Sequence, residues 1–269
     1  MRTITRLAGW ICGSLALLLI GASAGVAANV VTLKNKSTVQ AKPGGIEWRE
    51  SAKEYRVLTP DGVTMPVPLA QVERVEVDKP AEFDKVVQMV GAKQYDAAIP
   101  ILDDLIQKYR MLGWDVRARE LLARAYLAKP DGKKLVATLR PLIEGDAKRE
   151  VPPEVRVMYW KGLMLDKQVA TLRTELEDAI ATGSRELAAL AQIQRGDLSR
   201  SEGKKEEALM DYLRTVILFE QVKAAQPEAL SKAAELMDEL RDARGEELRK
   251  KLVSGYPDSP EARKLSGKI

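Results

Sequence analysis

The stretch from Ala189 to Glu220 constrains the fold of this chain more than any other. Gly196, Gly203, Ala208 and Tyr212 stand there at offsets 0, 7, 12 and 16. Thr182-Gly183-Ser184 breaks the helical pattern ahead of them, and Ser184 offers a hydroxyl to cap the next helix. Taken by itself this reads as an amphipathic helical hairpin. A chain of 269 residues with 45% hydrophobic and 30% charged positions can bury a substantial core around such a hairpin and is not disordered by composition.

The spacing resembles one tetratricopeptide repeat (TPR), a helix-turn-helix unit of about 34 residues. The resemblance implies that small residues at the first and third places let two antiparallel helices approach closely, with Tyr212 filling the groove beside them. It also implies similar neighbours stacked along one axis, because a single repeat cannot bury its apolar face alone. The four residues are then packing residues, and function lies on a surface.

Residues 1–28 carry Arg2 and Arg6, an apolar centre richest at Leu15 to Ile20, and a tail of small residues ending at Ala28. This layout is that of a secretory signal peptide cleaved after Ala28, which places the protein in the periplasm or outside the cell. The run from Leu7 to Ala28 is also long enough to stay as a membrane anchor. Cys12 is the only cysteine and histidine is absent. A chain processed at Ala28 therefore has no thiol, disulfide or imidazole, which removes most zinc, iron and copper sites and the Ser-His and Cys-His nucleophiles. No cofactor is expected. The formal charge of +4 includes Arg2 and Arg6, and no basic stripe with interleaved aromatics points to nucleic acid.

From Val30 to Val77 short β-type runs alternate with turn signals, of which Thr59-Pro60-Asp61-Gly62 is the clearest hairpin. These runs read as five strands in residues 29–79, and the arrangement resembles the small SH3-like or Sm-like barrels at the start of some secreted bacterial proteins. Pro66 suits an edge strand. Beyond Lys79-Pro80 the β signals vanish, and residues 80–269 have room for about five repeat units of the family's length. The first pairs Phe83–Val90 with Tyr95–Tyr109, where Pro100 requires the second helix to start late or to bend. The second places Leu121, Ala125 and Ala137 at the family's offsets. The third opens at Pro152-Pro153, with Tyr159 and Gly162 matching the first helix and a second helix that arrives about two residues early. A fourth covers 187–220 and a fifth begins at Pro227. Tyr256-Pro257-Asp258-Ser259-Pro260-Glu261-Ala262 resembles the inter-repeat linker of envelope TPR proteins, with Ser259 capping a short final helix.

The fold expected is thus mainly α, an α-α superhelix of TPR-like hairpins preceded by a small all-β barrel-like domain. The adjacent acidic pairs Asp103-Asp104, Glu206-Glu207 and Glu246-Glu247 diverge by about 100° on a helix and form no acid/base pair, so no enzymatic or metal site is expected. In the TPR family the first helix of each repeat lines a concave groove. Carried over residue by residue, the groove positions are Arg119, Tyr126, Arg156, Tyr159, Ile193, Asp197 and Arg200. The function implied is a non-enzymatic exported adaptor or scaffold that binds a protein or peptide of the cell envelope in that groove, with homo-oligomerisation open. The alternative is an architectural envelope protein whose β domain binds cell-wall polymer through Trp48 and Tyr55.

Overall fold

The computed structural model describes residues 29–145, 151–265 and 267; residues 1–28, on which the export reading falls, lie outside them. Contacts gather the chain into two units, one of the described residues up to Ile46 with Glu54–Asp78, the other of Glu47–Lys53 with the chain from Lys79 onward.

Six strands form near the N-terminus: β1 (Val30–Leu33), β2 (Thr38–Gln40), β3 (Ile46–Arg49), β4 (Glu54–Leu58), β5 (Thr64–Pro68) and β6 (Val72–Glu76). They make two three-stranded sheets, ordered β2-β1-β6 and β3-β4-β5, instead of the expected five strands of a closed barrel. In the first sheet Val31 is fully buried and lies opposite Val39 on one side and Val75 on the other. In the second, β5 carries Pro66 and Pro68, which lack an N–H to donate, so the strand ends its sheet as an edge. The hairpin between β4 and β5 forms where its sequence places it. Gly62 takes φ +90° and its N–H donates to the Thr59 carbonyl at 2.9 Å.

The second unit is helical: α1 (Phe83–Gly91), α2 (Tyr95–Lys108), α3 (Trp114–Ala128), α4 (Gly132–Ile143), α5 (Pro153–Leu165), α6 (Val169–Thr182), α7 (Arg185–Ser201), α8 (Lys205–Leu218), α9 (Gln226–Glu239), α10 (Gly245–Gly255) and α11 (Pro260–Leu265). Consecutive helices from α1 to α10 pair into five hairpins, and each hairpin packs on the next. Two apolar cores run through the array. One joins α1 to α7 and includes Trp160, Ala191 and Leu198; the other joins α7 to α11 and includes Ile193, Tyr212 and Leu252. Helix α7 thus contributes to both.

Local chemistry accounts for the ends of α7 and α11. The Ser184 hydroxyl accepts from the Leu187 N–H at 3.2 Å, and Ser259 accepts from the Ala262 N–H at 3.1 Å ahead of Pro260. Removing the first cap with Ser184→Ala is expected to cost about 1 kcal/mol. A lower denaturation midpoint at unchanged denaturant slope would show it, and an unshifted midpoint would refute it. Helix α2 does not start late. It begins at Tyr95 and continues through the proline, which leaves the Asp96 carbonyl without its helical donor.

The repeat length departs from the family value. In the fourth hairpin Gly196 lies five residues before the end of its helix, and Ala208 and Tyr212 follow at 12 and 16. The same geometry selects Val86, Ala98 and Leu102 in the first hairpin, Ala123, Leu135 and Leu139 in the second, and Trp160, Leu172 and Leu176 in the third. All of these are fully buried or nearly so. The anchors Val86, Ala123, Trp160, Gly196 and, in the fifth hairpin, Ala234 are separated by 37, 37, 36 and 38 residues. Seven residues past four of them the backbone turns left-handed, at Lys93, Lys167, Gly203 and Arg241, with φ between +58° and +78°. Pro130 holds the corresponding place in the second hairpin. These turns tie the register of every hairpin to that of the motif-bearing one.

The sequence-based phase of the second and third hairpins is therefore two residues off. Ala137, expected in the close contact, is exposed. A Cβ on Gly162 would press on Leu135 and Val136 of the preceding hairpin at 2.9 and 3.1 Å and not on its own partner helix. The two-residue difference noted in the third unit belongs to the end of α5, three residues past Gly162, where α7 ends five past Gly196.

Candidate functional site

The first helices of successive hairpins touch: α1 packs on α3, α3 on α5 and α5 on α7. No second helix packs on the next second helix to a similar extent. Within the helical unit the first helices therefore lie on the inner side of the array, and the second helices are splayed on the outer side.

Two residues on an α-helix are about 200° apart around its axis, so the phase error carries the expected groove residues of α3 and α5 to the outer side. Arg119 and Tyr126 line a cleft of about 240 Å³ between α2 and α4, together with Asp103, Gln107, Lys134 and Thr138. Arg119 donates to the Thr138 carbonyl at 2.8 Å, and the Lys134 ammonium lies 5.6 Å from the centre of the Tyr126 ring. Burial pushes both the Asp103 carboxyl and the Tyr126 phenol up. In the corresponding place between α4 and α6, Tyr159 is fully buried and its hydroxyl donates to Glu144 at 2.9 Å. Arg156 pairs there with Glu175 of α6 at 3.7 Å.

Only the fourth hairpin was in phase. Ile193 is in the core with no exposed surface, so its side chain presents nothing to a partner. Asp197 and Arg200 do face the inner side, where they meet α9. The Lys232 ammonium donates to both Asp197 carboxylate oxygens at 2.6 and 2.7 Å and pairs with Glu228 at 2.7 Å. Burial pulls the Lys232 pKa down, but Asp197 and Glu228 outweigh it and the net shift is upward. The Tyr212 hydroxyl also donates to Asp197 at 2.8 Å; burial and that carboxylate push the phenol well above its ordinary value. Arg200 pairs with Glu235 at 3.7 Å and with Glu239. Charges on the inner side of α7 and α9 are thus largely committed to one another.

With the register taken from the anchors, the positions equivalent to Asp197 and Arg200 are Val87 and Val90 on α1, Arg124 and Leu127 on α3, and Lys161 and Met164 on α5. Val87 is 41% exposed, while Val90, Leu127 and Met164 are partly buried apolar residues at the margin of the core. Arg124 is held by Glu120 one turn earlier at 2.6 Å. Lys161 has no ion-pair partner among the described residues. This row of side chains was missed in the sequence because it depends on a repeat of 36–37 residues.

A second feature missed in the sequence is a buried charge under the outer cleft between α6 and α8. The Asp211 carboxylate accepts from Gln192 at 2.6 Å, from Arg195 at 2.8 and 2.9 Å and from Arg214 at 2.7 Å. Gln192, Gln194 and Arg195, polar residues flanking Ile193 in a helix that opens with alanines, are the trace it leaves in the sequence. Helix α8 also differs from α2 and α6 at three outer-side positions. Met210, Ile217 and Leu218 are 50%, 67% and 59% exposed. The equivalent places hold Pro100, Gln107 and Lys108 on α2 and Thr174, Ala181 and Thr182 on α6.

No protein family and no curated protein matches the sequence. Solved structures do match the fold. A Podosopora anserina kinesin light chain with nearly identical TPR-like repeats superposes with a TM-score of 0.51 at 14% identity, covering 70% of this chain and 95% of its own. A thermophilic TPR protein of Thermus thermophilus follows at 0.46 and 16%, covering 68% and 94%. YrrB, described as a TPR protein with an unusual peptide-binding site, is more remote at 0.39 and 14%, covering 68% and 88%. The first of these assigns the helical unit a TPR-like fold, in agreement with the repeat geometry.

Proposed function

We propose that this protein is a non-enzymatic scaffold that holds a segment of a partner protein along the inner side of α1, α3 and α5, and that it works outside the cytoplasm after export. One observation carries the reading. The first helices pack on one another and align Val87, Val90, Arg124, Leu127, Lys161 and Met164 in a partly exposed row across three repeats. An array whose stability comes from neighbour contacts can offer such a surface without spending core residues on it. The export reading rests on the layout of residues 1–28, and the scaffold reading is supported by the TPR-like fold.

Photo-crosslinking tests it. A photoreactive residue at Met164 should trap a partner protein in the envelope fraction, whereas one at the outer-cleft residue Tyr126 should not. Equal trapping at the two places, or trapping at Tyr126 alone, refutes the inner-side reading.

Self-association is the second reading, favoured by the three exposed apolar residues Met210, Ile217 and Leu218 on the outer side of α8. Light scattering should then report a dimer that Ile217→Asp with Leu218→Asp converts to monomer. A wild-type monomer at all concentrations refutes it.

A further inference from the structure

We infer that cleavage between Ala28 and Asn29 creates the partner of a buried carboxylate: the α-ammonium of Asn29, once free, closes on Asp78 and ties the start of β1 to the end of β6. The inference rests on the export reading above and gives the cut a structural consequence. Asn29 is buried directly ahead of β1. Because β1 runs antiparallel to β6 with Val30 opposite Glu76, Asn29 meets the chain just past β6. Its side chain makes that contact twice. Nδ2 donates to Asp78 Oδ2 at 2.6 Å, and Oδ1 accepts from the Asp78 N–H at 3.3 Å.

The other carboxylate oxygen, Asp78 Oδ1, is buried without a hydrogen-bond partner, and Asp78 is the one carboxylate so placed among the described residues. An oxygen of this kind, withdrawn from water with no donor to meet it, is costly to keep. The Asn29 carbonyl accepts from the Ala41 N–H at 2.8 Å, while the Asn29 nitrogen has no backbone acceptor among the described residues. In the uncut chain that nitrogen is a neutral amide. A leader peptidase adds water across the Ala28–Asn29 bond, leaving a carboxylate on Ala28 and, on Asn29, an amine that is mostly protonated at neutral pH. The new ammonium belongs to the same residue as the Nδ2 that Asp78 already holds. It supplies both the missing donor and the opposite charge, so the seam between β1 and β6 is completed only after the leader is removed.

Labelling of the mature N-terminus tests this. The full sequence is expressed for export, and the protein recovered from the envelope is sequenced from its N-terminus and treated with acetic anhydride over a pH series, with acetylation of the N-terminal peptide read by mass spectrometry. The first residue should be Asn29. Its amine should titrate above the range of about 7.7–8.0 usual for an α-amine, because an opposite charge favours the charged form. At pH 7 it should label about tenfold more slowly than in Asp78→Asn. A wild-type midpoint inside the usual range overturns the inference, and so does equal labelling of a folded Asp78→Asn protein. An exported chain that starts at another residue overturns it too but leaves the export reading intact, whereas an uncut chain in the cytoplasm sinks both.

Discussion

Trp160→Ala is expected to destabilise the helical unit by about 3–5 kcal/mol, the cost typical of truncating a buried large aromatic. Trp160 has no exposed surface and sits in the core that joins α1 to α7. It occupies the anchor of the third hairpin, where the fourth has a glycine. Its partners at offsets 12 and 16 are Leu172 and Leu176, and neither can grow to fill the space the indole leaves. The loss should also be local. Stability in a repeat array is roughly a sum of units and neighbour interfaces, so amide exchange should accelerate from α3 to α7 and change least in α10 and α11. A uniform loss of protection over α1–α11, or a loss under about 1 kcal/mol, would show that the anchor is not the packing element described.

Gly196→Val makes the opposite error at the equivalent position. A Cβ there would lie 2.5 Å from Cε1 and 2.8 Å from Cδ1 of Tyr212, well inside van der Waals contact. The ring has no room to retreat, since it is fully buried and its hydroxyl is tied to Asp197 at 2.8 Å. Overpacking of this kind costs about 1–3 kcal/mol, occasionally more, and the helix propensity of valine returns only a few tenths of that. Chemical denaturation of a double-mutant cycle is the decisive measurement. Tyr212→Ala alone leaves a cavity, but combined with Gly196→Val it should cost less than the two single changes together, because the valine fills part of the space the ring vacates. Simple additivity would mean that the two side chains do not share the contact.

These two positions show how size is traded along the array. Where the first helix offers glycine, its partner supplies a tyrosine; where it offers tryptophan, the partner supplies leucines. The helix-helix distance is set by the pair, so either member alone says little about the contact. This is why the fourth hairpin could be read from its residues and the third could not. Gly196 and Tyr212 form the pair that the TPR resemblance looks for, whereas Trp160 breaks the pattern and diverted the reading to Gly162, 34 residues before Gly196. A sequence signal for the longer period does exist. Lys93-Gln94 and Lys167-Gln168 are 74 residues apart, two repeats of 37, and each ends a first helix with a left-handed lysine. Glycine usually marks such turns; here three of the four left-handed places hold Lys or Arg, so a search for glycine passes over them.

The sequence alone was enough to establish five helical hairpins after an N-terminal β region, the Ser184 and Ser259 caps, the Thr59–Gly62 hairpin and the packing role of Gly196 and Tyr212. Each of these rests on neighbours within about 16 residues, and short-range preferences specify such features directly. Only the tertiary structure decided the closure of the β region and which face of α3 and α5 looks inward. Strand closure depends on which edges pair, and Pro66 and Pro68 make β5 an edge. The inward face depends on register, and on a helix an error of two residues turns a side chain by about 200°. That rotation moved Arg119, Tyr126, Arg156 and Tyr159 to the outer side and brought Arg124, Leu127, Lys161 and Met164 to the inner one.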